Sequence, residues 1–253
     1  MKRFALILLL TCAALTACQP SRTIRVMTYN AHNCIGMDGT LSCERIAQVI
    51  TNENIEAVAL QELDSMTMRL PNQDILKNIA DLTGMYPTFG ASIDFRGGKY
   101  GIGVLTREKP ISWKRIPLPC RSEPRSLLIV ELEDYYFCST HLSLHAEDRE
   151  TSAAIIAEEL GKLDKPVIIG GDFNAEPDEL AIQKLLPHIE FMHGAPDKLT
   201  YPANTPRIEI DYIGILKAQA KDIREVQSYV VNAPVESDHR PLVSEFEFKK
   251  QQF

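Results

Sequence analysis

The residues best suited to chemistry follow short apolar runs. In "VIIGGDFNAEP", residues 167–177, small and apolar positions lead into a turn that places Asp172 and Asn174 directly after them. In "ESDHRPL", residues 236–242, Asp238 and His239 come just before the last apolar segment. Binding and catalytic groups collect where strands give way to loops, because the sheet holds those positions rigid. Both stretches are therefore candidate parts of a site.

Four further polar residues have comparable positions. Asn30 closes "RVMTYN", Glu62 closes "AVALQE", His141 closes "YYFCSTH", and Asp211 lies within "EIDYIGI". Each also has an ordinary structural interpretation: a turn residue, a solvated carboxylate, a hydrogen-bonded core histidine and a paired buried aspartate, respectively. Their recurrence at strand ends favours a functional interpretation over four separate structural ones.

These residue types point to one kind of chemistry. They are carboxylates, two amides and two imidazoles, without a Cys-x-x-Cys pair or an H-E-x-x-H helix. Hard oxygen ligands favour Mg²⁺ or Mn²⁺ over zinc, and Mg²⁺ completes its shell with water and substrate phosphate. A histidine beside an acidic residue suits acid-base catalysis or charge stabilisation. The set predicts a metal-assisted site for a phosphate ester.

The surrounding pattern predicts short strands interleaved with amphipathic helices. Strands are predicted at 23–30 and 55–62, each followed by a helix whose apolar residues are spaced by three or four. These apolar residues are Ile46, Val49 and Ile50 in the first helix and Ile75, Ile79 and Leu82 in the second, which ends at Gly84. A block of strands follows. The chain then repeats the arrangement with "DRETSAAIIAEELGKL" and "PDELAIQKLLPHI" as helices around "PVIIGGD", followed by three closing strands.

This near-duplication predicts an α/β fold in which two mixed sheets pack face to face with helices outside. No linker or low-complexity tract interrupts residues 23–249, so one domain is expected there.

The first residues have the pattern of an export signal. Lys2 and Arg3 precede an apolar run over residues 4–17 that is too short to span a bilayer. The run ends in "LTAC", which resembles a bacterial lipobox and implies cleavage after residue 17 and a lipid on Cys18. Residues 18–22 would form a short tether, and the protein would be exported and anchored to a membrane. A plain cleaved signal is the alternative.

Net charge bears on the binding partners, and the cysteines bear on disulfide formation. Loss of Lys2 and Arg3 leaves 25 basic against 34 acidic residues, a net charge of −9, which does not favour nucleic acid as a partner. No protein partner is indicated. In an exported domain, Cys34 and Cys43 are the best candidates for a disulfide, because "CIGMDGTLSC" can fold back on itself; one sequence does not fix the pairing.

Seven blocks together carry a family resemblance. They are "VMTYN", "ALQELD", "YGIGVLTR", "STHLSL", "IIGGDFNAEP", "RIEIDYI" and "SDHRPL". In order and approximate spacing they resemble the endonuclease/exonuclease/phosphatase superfamily, the deoxyribonuclease-like fold that includes sphingomyelinases and inositol polyphosphate 5-phosphatases. The resemblance implies a four-layer α/β sandwich with a divalent-metal site at one edge of its two sheets.

The resemblance also implies roles for the metal-side residues. Glu62 corresponds to the principal metal ligand, helped by Asn30 and, from the other side, by Asp238. Asp172 would orient or deprotonate the attacking water, and Asn174 would hold a phosphate oxygen.

The two histidines correspond to phosphate-facing groups. His239, steered by Asp211, would activate the nucleophile or stabilise the pentavalent state. His141 resembles the second phosphate-facing histidine of the nuclease and sphingomyelinase branches. Which residue acts as the base stays open.

One position departs from the family pattern. Many relatives carry Asn where this chain has Ile102, so an amide on the substrate side is missing. Tyr100 and Arg96 are candidates for the same rim, with simple loop and strand packing as the alternative.

The resulting hypothesis is a Mg²⁺-dependent phosphodiesterase or phosphomonoesterase acting on a lipid, sugar or other small phosphate ester. A secreted nuclease is the second candidate. A catalytically silent binding lipoprotein is the third, and the intact set of acidic residues and His239 weighs against it.

Overall fold

The computed structural model describes residues 22–192 and 198–249, where strands and helices alternate as the sequence predicts. The first half contains β1 (Arg22–Asn30), α1 (Cys43–Asn52), β2 (Ala57–Ser65), α2 (Ile75–Thr83), β3 (Tyr86–Phe95), β4 (Gly98–Thr106) and β5 (Ser112–Leu118). The second half contains β6 (Arg125–Glu131), β7 (Tyr136–His141), α3 (Ala146–Leu160), β8 (Val167–Asp172), α4 (Leu180–Leu185), β9 (Ile189–Phe191), β10 (Asp211–Leu216), β11 (Ile223–Val230) and β12 (Leu242–Phe248).

Local capping sets the ends of the first two helices. The Ser42 side chain accepts a hydrogen bond from the Arg45 amide at the start of α1, and Asp74 accepts one from Lys77 at the start of α2. These bonds satisfy amides that have no partner inside the helix. Gly84 ends α2 in a left-handed conformation with φ of 68°, which glycine adopts without steric cost.

The strands form two six-stranded mixed sheets. The first has the order β11-β12-β1-β2-β4-β3 and the second β5-β6-β7-β8-β10-β9. The central pairs β1/β2 and β7/β8 are parallel, and their neighbours are antiparallel. The carboxyl ends of all four central strands therefore reach the edge at which the candidate residues lie.

Three apolar layers hold the sheets and helices together. One lies between the two sheets and includes Val26, Leu128 and Ile168. The second packs α1 and α2 against the first sheet, and the third packs α3 and α4 against the second sheet. The architecture is a four-layer α/β sandwich, which confirms the fold class predicted from the sequence.

Three local predictions are wrong. Leu82, expected on the inner face of α2, is 50% exposed, whereas Ile79 is fully buried. The helix predicted over "PDELAIQKLLPHI" is only the six residues of α4, followed by the short strand β9. Arg22, assigned to the tether, is the first residue of β1, and its guanidinium pairs with Glu108 and Asp134.

The predicted leader, residues 1–17, lies outside the described residues, as do Cys18 and the tether up to residue 21. Within residues 22–192 and 198–249, no helix combines the length and apolar character needed to cross a membrane.

The disulfide expected between Cys34 and Cys43 is not formed; both are free, buried thiols. The loop does fold back as expected, with Ile35 bridged to Leu41 and the Ser42 amide donating to the Cys34 carbonyl. A hydrogen bond with Cys43, together with burial, raises the pKa of Cys34 well above its usual value. Main-chain hydrogen bonds therefore close this loop without a covalent link.

Candidate active site

Strand pairing brings most of the predicted residues to one edge. His141 is paired with Asp172 between parallel β7 and β8, and Asp211 is paired with Asp172 between antiparallel β8 and β10. In the other sheet, Asn30 ends β1 and is paired with Gln61 of β2. The two sheets face each other here, so side chains from both meet at their common edge.

A β-bulge directs Glu62 towards this edge. The register of β2 against β4 shifts between Leu60 and Leu63, and Glu62 has a φ of 58°. A left-handed conformation is uncommon for a residue with a side chain, and a bulge changes the direction of the side chains that follow it. Gln61, just before, is fully buried and lies within 3.5 Å of Thr28 and Ser139, whereas the Glu62 carboxylate lies at the site.

The Asn30 amide links the two sides of the site. Its Nδ2 donates to Glu62 Oε1 at 3.2 Å and to Asp172 Oδ2 at 3.0 Å, and it lies 3.5 Å from His239 Nε2. Its Oδ1 accepts a hydrogen bond from the His32 backbone amide at 3.1 Å. Asn30 therefore orients two carboxylates as a donor in this structure.

His239 is held by a carboxylate. Asp211 Oδ2 lies 2.8 Å from His239 Nδ1 and accepts a second hydrogen bond from the Thr200 hydroxyl at 2.5 Å. The Tyr201 ring packs on the imidazole with centroids 4.8 Å apart. Burial alone would lower the pKa of His239, but Asp211, helped by Asp172 and Asp238, raises it to about 10.

Asp172 is a buried carboxylate with an altered affinity for protons. Burial and the neighbouring charge of Asp211 raise the pKa of Asp172 to about 7, against the opposing effects of His239, Asn174 and Asn30. The Asn174 backbone amide donates to Asp172 Oδ1 at 2.9 Å, and its φ is 48°. The side-chain Nδ2 of Asn174 donates to the Leu142 carbonyl at 3.1 Å, so this side chain also joins the ends of β7 and β8.

His141 has a different environment from His239. Its Nε2 lies 3.5 Å from Asp172 Oδ2, and its Nδ1 lies 3.1 Å from Arg125 Nη1. Burial, with the charges of Arg125 and His239, lowers the pKa of His141 well below its usual value. The two imidazoles flank Asp172 with opposite shifts in pKa.

Asp238 lies at the margin of the group. Its Oδ1 is 3.3 Å from the Ser237 hydroxyl and 3.8 Å from His32 Nδ1. The Ser237 hydroxyl donates to the Asn30 carbonyl at 2.7 Å, which ties this loop to β1. The structure thus joins Asn30, Glu62, His141, Asp172, Asp211 and His239 directly, while Asp238 is next to His239 in the chain and faces His32.

The predicted rim is made of stacked side chains. Arg69 forms a two-pronged ion pair with the buried Asp64, and its guanidinium lies over the Phe95 and Tyr100 rings at 4.9 and 5.3 Å. Tyr100 lies opposite Asp64 in the register of β2 and β4, two residues beyond Glu62. Burial and the charge of Glu62 raise the pKa of Tyr100. Arg96 is exposed and lies over Phe95.

Ile102, the position that departs from the family pattern, does not line the rim. Its side chain is 2% exposed and belongs to the apolar layer between the two sheets. Ile102, in place of the amide, therefore contributes apolar surface to the core, and other residues form the rim.

Arg125, Thr200 and Tyr201 were not identified from the sequence. Arg125 opens the apolar run "RSLLIVEL", so it has the same strand-end signal as the other candidates. Thr200 and Tyr201 lie in an irregular loop without a recognisable pattern. They reach Asp211 and His239 only through the tertiary fold.

The donor atoms are suited to a divalent cation. Ligand atoms of Asp172, Asp211 and His239 lie within 4.8 Å of one another. Oδ1 of Asp211 is buried and has no hydrogen-bond partner in the part of the chain that the structure describes. An unpartnered buried carboxylate oxygen is costly, and a cation would satisfy it. Oxygen-rich donors of this kind match Mg²⁺ or Mn²⁺.

A four-layer α/β sandwich with carboxylates and imidazoles at its sheet edge defines a class of hydrolases that cleave phosphate esters. The family model described as "Endonuclease/Exonuclease/phosphatase family" matches residues 27–245, and the chain belongs to this family. Members of the family are hydrolases of phosphate esters and use divalent metals.

Solved structures show the same fold. An endonuclease/exonuclease/phosphatase from Beutenbergia cavernae is 22% identical with a TM-score of 0.72, and the match covers 90% of this chain and 72% of that one. A mannosyl-6-phosphatase of Bacteroides thetaiotaomicron is 17% identical with a TM-score of 0.72, covering 88% and 99%. The catalytic domain of human Nocturnin, solved with a bound sulfate anion, is 19% identical with a TM-score of 0.69, covering 90% and 94%. No curated protein matches the chain.

Proposed function

We propose that the protein is a divalent-metal-dependent phosphoesterase that hydrolyses a lipid, sugar or other small phosphate ester with an activated water molecule. The observation that carries this proposal is the linked group at the sheet edge. The Asn30 amide donates hydrogen bonds to both Glu62 and Asp172. Asp172 lies opposite Asp211 on the neighbouring strand, and Asp211 holds His239. Phosphoryl transfer depends on positioning and charge neutralisation, and this group provides both.

Mg²⁺, or Mn²⁺ in its place, would neutralise charge on the phosphate oxygens and lower the pKa of a bound water. Glu62 is proposed as its principal ligand, with Asn30 and Asp238 as the predicted companions. Asp172, Asp211 and His239 form a second group that can hold a cation.

The remaining steps, activation of the water and binding of the phosphate, are assigned to four side chains. Asp172 would orient the water or accept its proton, since a carboxyl with a pKa of about 7 is matched to neutral pH. Asp211 fixes the His239 ring through Nδ1, which leaves Nε2, 3.8 Å from Asp172 Oδ2, to face the phosphate. His141 and Asn174 would hold phosphate oxygens. Asp172 and His239 are the two candidates for the base.

A small ester fits the composition better than a nucleic acid. The predicted mature net charge of −9 opposes binding to a polyanion. The fold neighbour named a mannosyl-6-phosphatase shows that this architecture can carry a phosphatase acting on a sugar phosphate. A secreted nuclease is the alternative, and hydrolysis of DNA would favour it.

The proposed location is the cell envelope, with a lipid on Cys18 anchoring the chain to a membrane. The leader and the "LTAC" sequence support this location. Incorporation of labelled palmitate into the wild-type chain, and its loss in Cys18→Ser, would test it. A cleaved, unlabelled product would indicate a plain secretory signal.

The test of the activity is a substrate panel assayed with Mg²⁺ and with chelator. It contains bis(p-nitrophenyl) phosphate, p-nitrophenyl phosphate, mannose 6-phosphate, sphingomyelin and plasmid DNA. We expect Mg²⁺-dependent turnover of at least one small ester, lost in His239→Ala and Asp172→Asn while both variants stay folded. Absence of turnover on every substrate would support a silent binding protein.

A further inference from the structure

Arg125 is a buried guanidinium in contact with one of the two site histidines. It opens β6, next to the end of β7, and is 8% exposed. Its Nη1 lies 3.1 Å from His141 Nδ1 and 2.6 Å from Glu123 Oε1. Glu123 therefore balances the charge of Arg125, and Arg125 contacts the imidazole at Nδ1, the nitrogen away from Asp172.

The chemistry of arginine decides which way this contact runs. A guanidinium has five N–H donors and no acceptor, and it does not lose its proton in proteins. His141 Nδ1 must therefore accept the hydrogen bond from Arg125. An imidazole whose Nδ1 accepts carries its single proton on Nε2. That nitrogen lies 3.5 Å from Asp172 Oδ2, on the side where the other site residues meet.

The second histidine has the opposite partner. His239 Nδ1 lies 2.8 Å from a carboxylate oxygen of Asp211, which can only accept when ionised. His239 Nδ1 is therefore a donor, whereas His141 Nδ1 is an acceptor. The two imidazoles flank Asp172, with Nε2 atoms 3.8 and 3.5 Å from its Oδ2, but they are not equivalent.

We propose that Arg125 is a positioning residue that fixes the proton of His141 on Nε2, so that His141 presents an N–H donor to the site. His141 then donates a hydrogen bond to a phosphate oxygen, and the proton transfers of the reaction belong to Asp172 and His239. The identity of the acceptor as phosphate rests on the proposed function. The position of the proton on His141 does not.

The direct test is the tautomer of His141, read from long-range ¹H–¹⁵N correlation spectra of the full chain labelled with ¹⁵N-histidine. The His141 signals are assigned by their loss in His141→Gln. In the wild type we expect an unprotonated Nδ1 and a protonated Nε2. A proton on Nδ1, or on both nitrogens, would overturn the proposal.

Substitutions at Arg125 test whether its hydrogen-bond donor sets the position of the His141 proton. Arg125→Met removes the donor, and we expect the single proton of His141 to be shared between Nδ1 and Nε2. Arg125→Lys retains a donor and should restore the wild-type spectrum. Arg115→Met is the matched control. Arg115 lies on β5 and donates to Ser126, the neighbour of Arg125 on β6, but has no hydrogen bond to His141.

Turnover of bis(p-nitrophenyl) phosphate with Mg²⁺ links the tautomer to the reaction. Loss of one oriented donor costs about 10²- to 10³-fold in kcat, and a partly shared proton should cost about 10- to 100-fold in Arg125→Met. Arg125→Lys should stay within about threefold of wild type, by the same reasoning. A wild-type rate in Arg125→Met despite a changed tautomer would refute the donor role. Lack of turnover by the wild type would refute the proposed function, and the spectra would still decide the position of the proton.

Discussion

Nδ1 of His239 lies 2.8 Å from Oδ2 of Asp211, although the two residues are 28 positions apart. They meet because Asp211 opens β10 in one sheet, while His239 precedes β12 in the other. The bond fixes the plane of the imidazole, and Thr200 and Tyr201 hold the pair from the outside. The orientation of His239 is thus a property of the interface between the sheets.

Asp211→Asn should lower the rate of phosphate ester hydrolysis without unfolding the protein. The neutral amide removes the charge that raises the pKa of His239, and its NH2 group can turn towards Nδ1, so the imidazole loses its preferred tautomer. Removal of the carboxylate that orients a catalytic histidine costs up to about 10⁴-fold in kcat elsewhere. The assay is kcat with bis(p-nitrophenyl) phosphate at saturating Mg²⁺.

The control for this change is Asp222→Asn, at a half-exposed carboxylate outside the site. It should keep the wild-type rate. An Asp211→Asn enzyme with undiminished kcat would remove Asp211 from the proposed machinery.

Glu62→Gln should weaken the dependence of activity on the metal. A neutral amide replaces the carboxylate that the bulge in β2 turns towards the site, so a higher Mg²⁺ concentration is needed for half-maximal rate. We expect an increase of about 10- to 100-fold, since even the loss of an outer partner of a metal ligand costs this much. The measurement is activity titrated with Mg²⁺ and, separately, Mn²⁺ after treatment with chelator.

Glu158→Gln, on the exposed face of α3, serves as the matched variant and should titrate like the wild type. If chelator left the wild-type rate unchanged, the metal requirement itself would be wrong.

Ile79→Ala should destabilise the fold far more than Leu82→Ala, although both residues lie in α2. Ile79 is fully buried in the layer beneath α1 and α2, whereas Leu82 is 50% exposed. The buried truncation should lower the free energy of unfolding by about 2 to 5 kcal/mol. The exposed one should change it by no more than about 0.5 kcal/mol. Urea denaturation followed by circular dichroism gives both values, and equal losses would mean that α2 faces the core differently.

Cys120 should be alkylated before the buried Cys34, Cys43 and Cys138. Burial tends to raise its pKa, but hydrogen bonds with the Ser122 and Ser143 hydroxyls, and one from the Glu123 amide, lower it below the usual value. A lower pKa gives more thiolate below pH 9, so its rate should rise with pH and level off earlier than that of free cysteine. The pKa of Cys138 is raised by burial, so Cys138 should stay unmodified under native conditions.

The measurement is a short exposure to iodoacetamide at several pH values, followed by peptide mass spectrometry. Cys120→Ser should remove the fast phase. Early labelling of Cys138 instead would show that the sheet around it opens.

The sequence alone determined the α/β class, the resemblance to the family and the polar residues at or near strand ends. The structure extends β2 to Ser65, three residues past Glu62, and begins β10 at Asp211. Apolar periodicity and strand-end polar residues are local signals, because they depend on neighbours within a few positions. They were sufficient to select Asn30, Glu62, His141, Asp172, Asp211 and His239, which the structure joins at one edge.

Only the tertiary structure decided how these side chains face one another. The bulge that turns Glu62, the contact of Arg125 with His141, the stacking of Tyr201 on His239 and the position of Ile102 in the core all depend on the register and packing of distant segments. Asp238 was also selected from the sequence, but the fold places it at the margin of the site. Its carboxylate faces His32, although its neighbour His239 points into the site. Register is fixed by long-range burial across a sheet, and a local pattern does not contain that information.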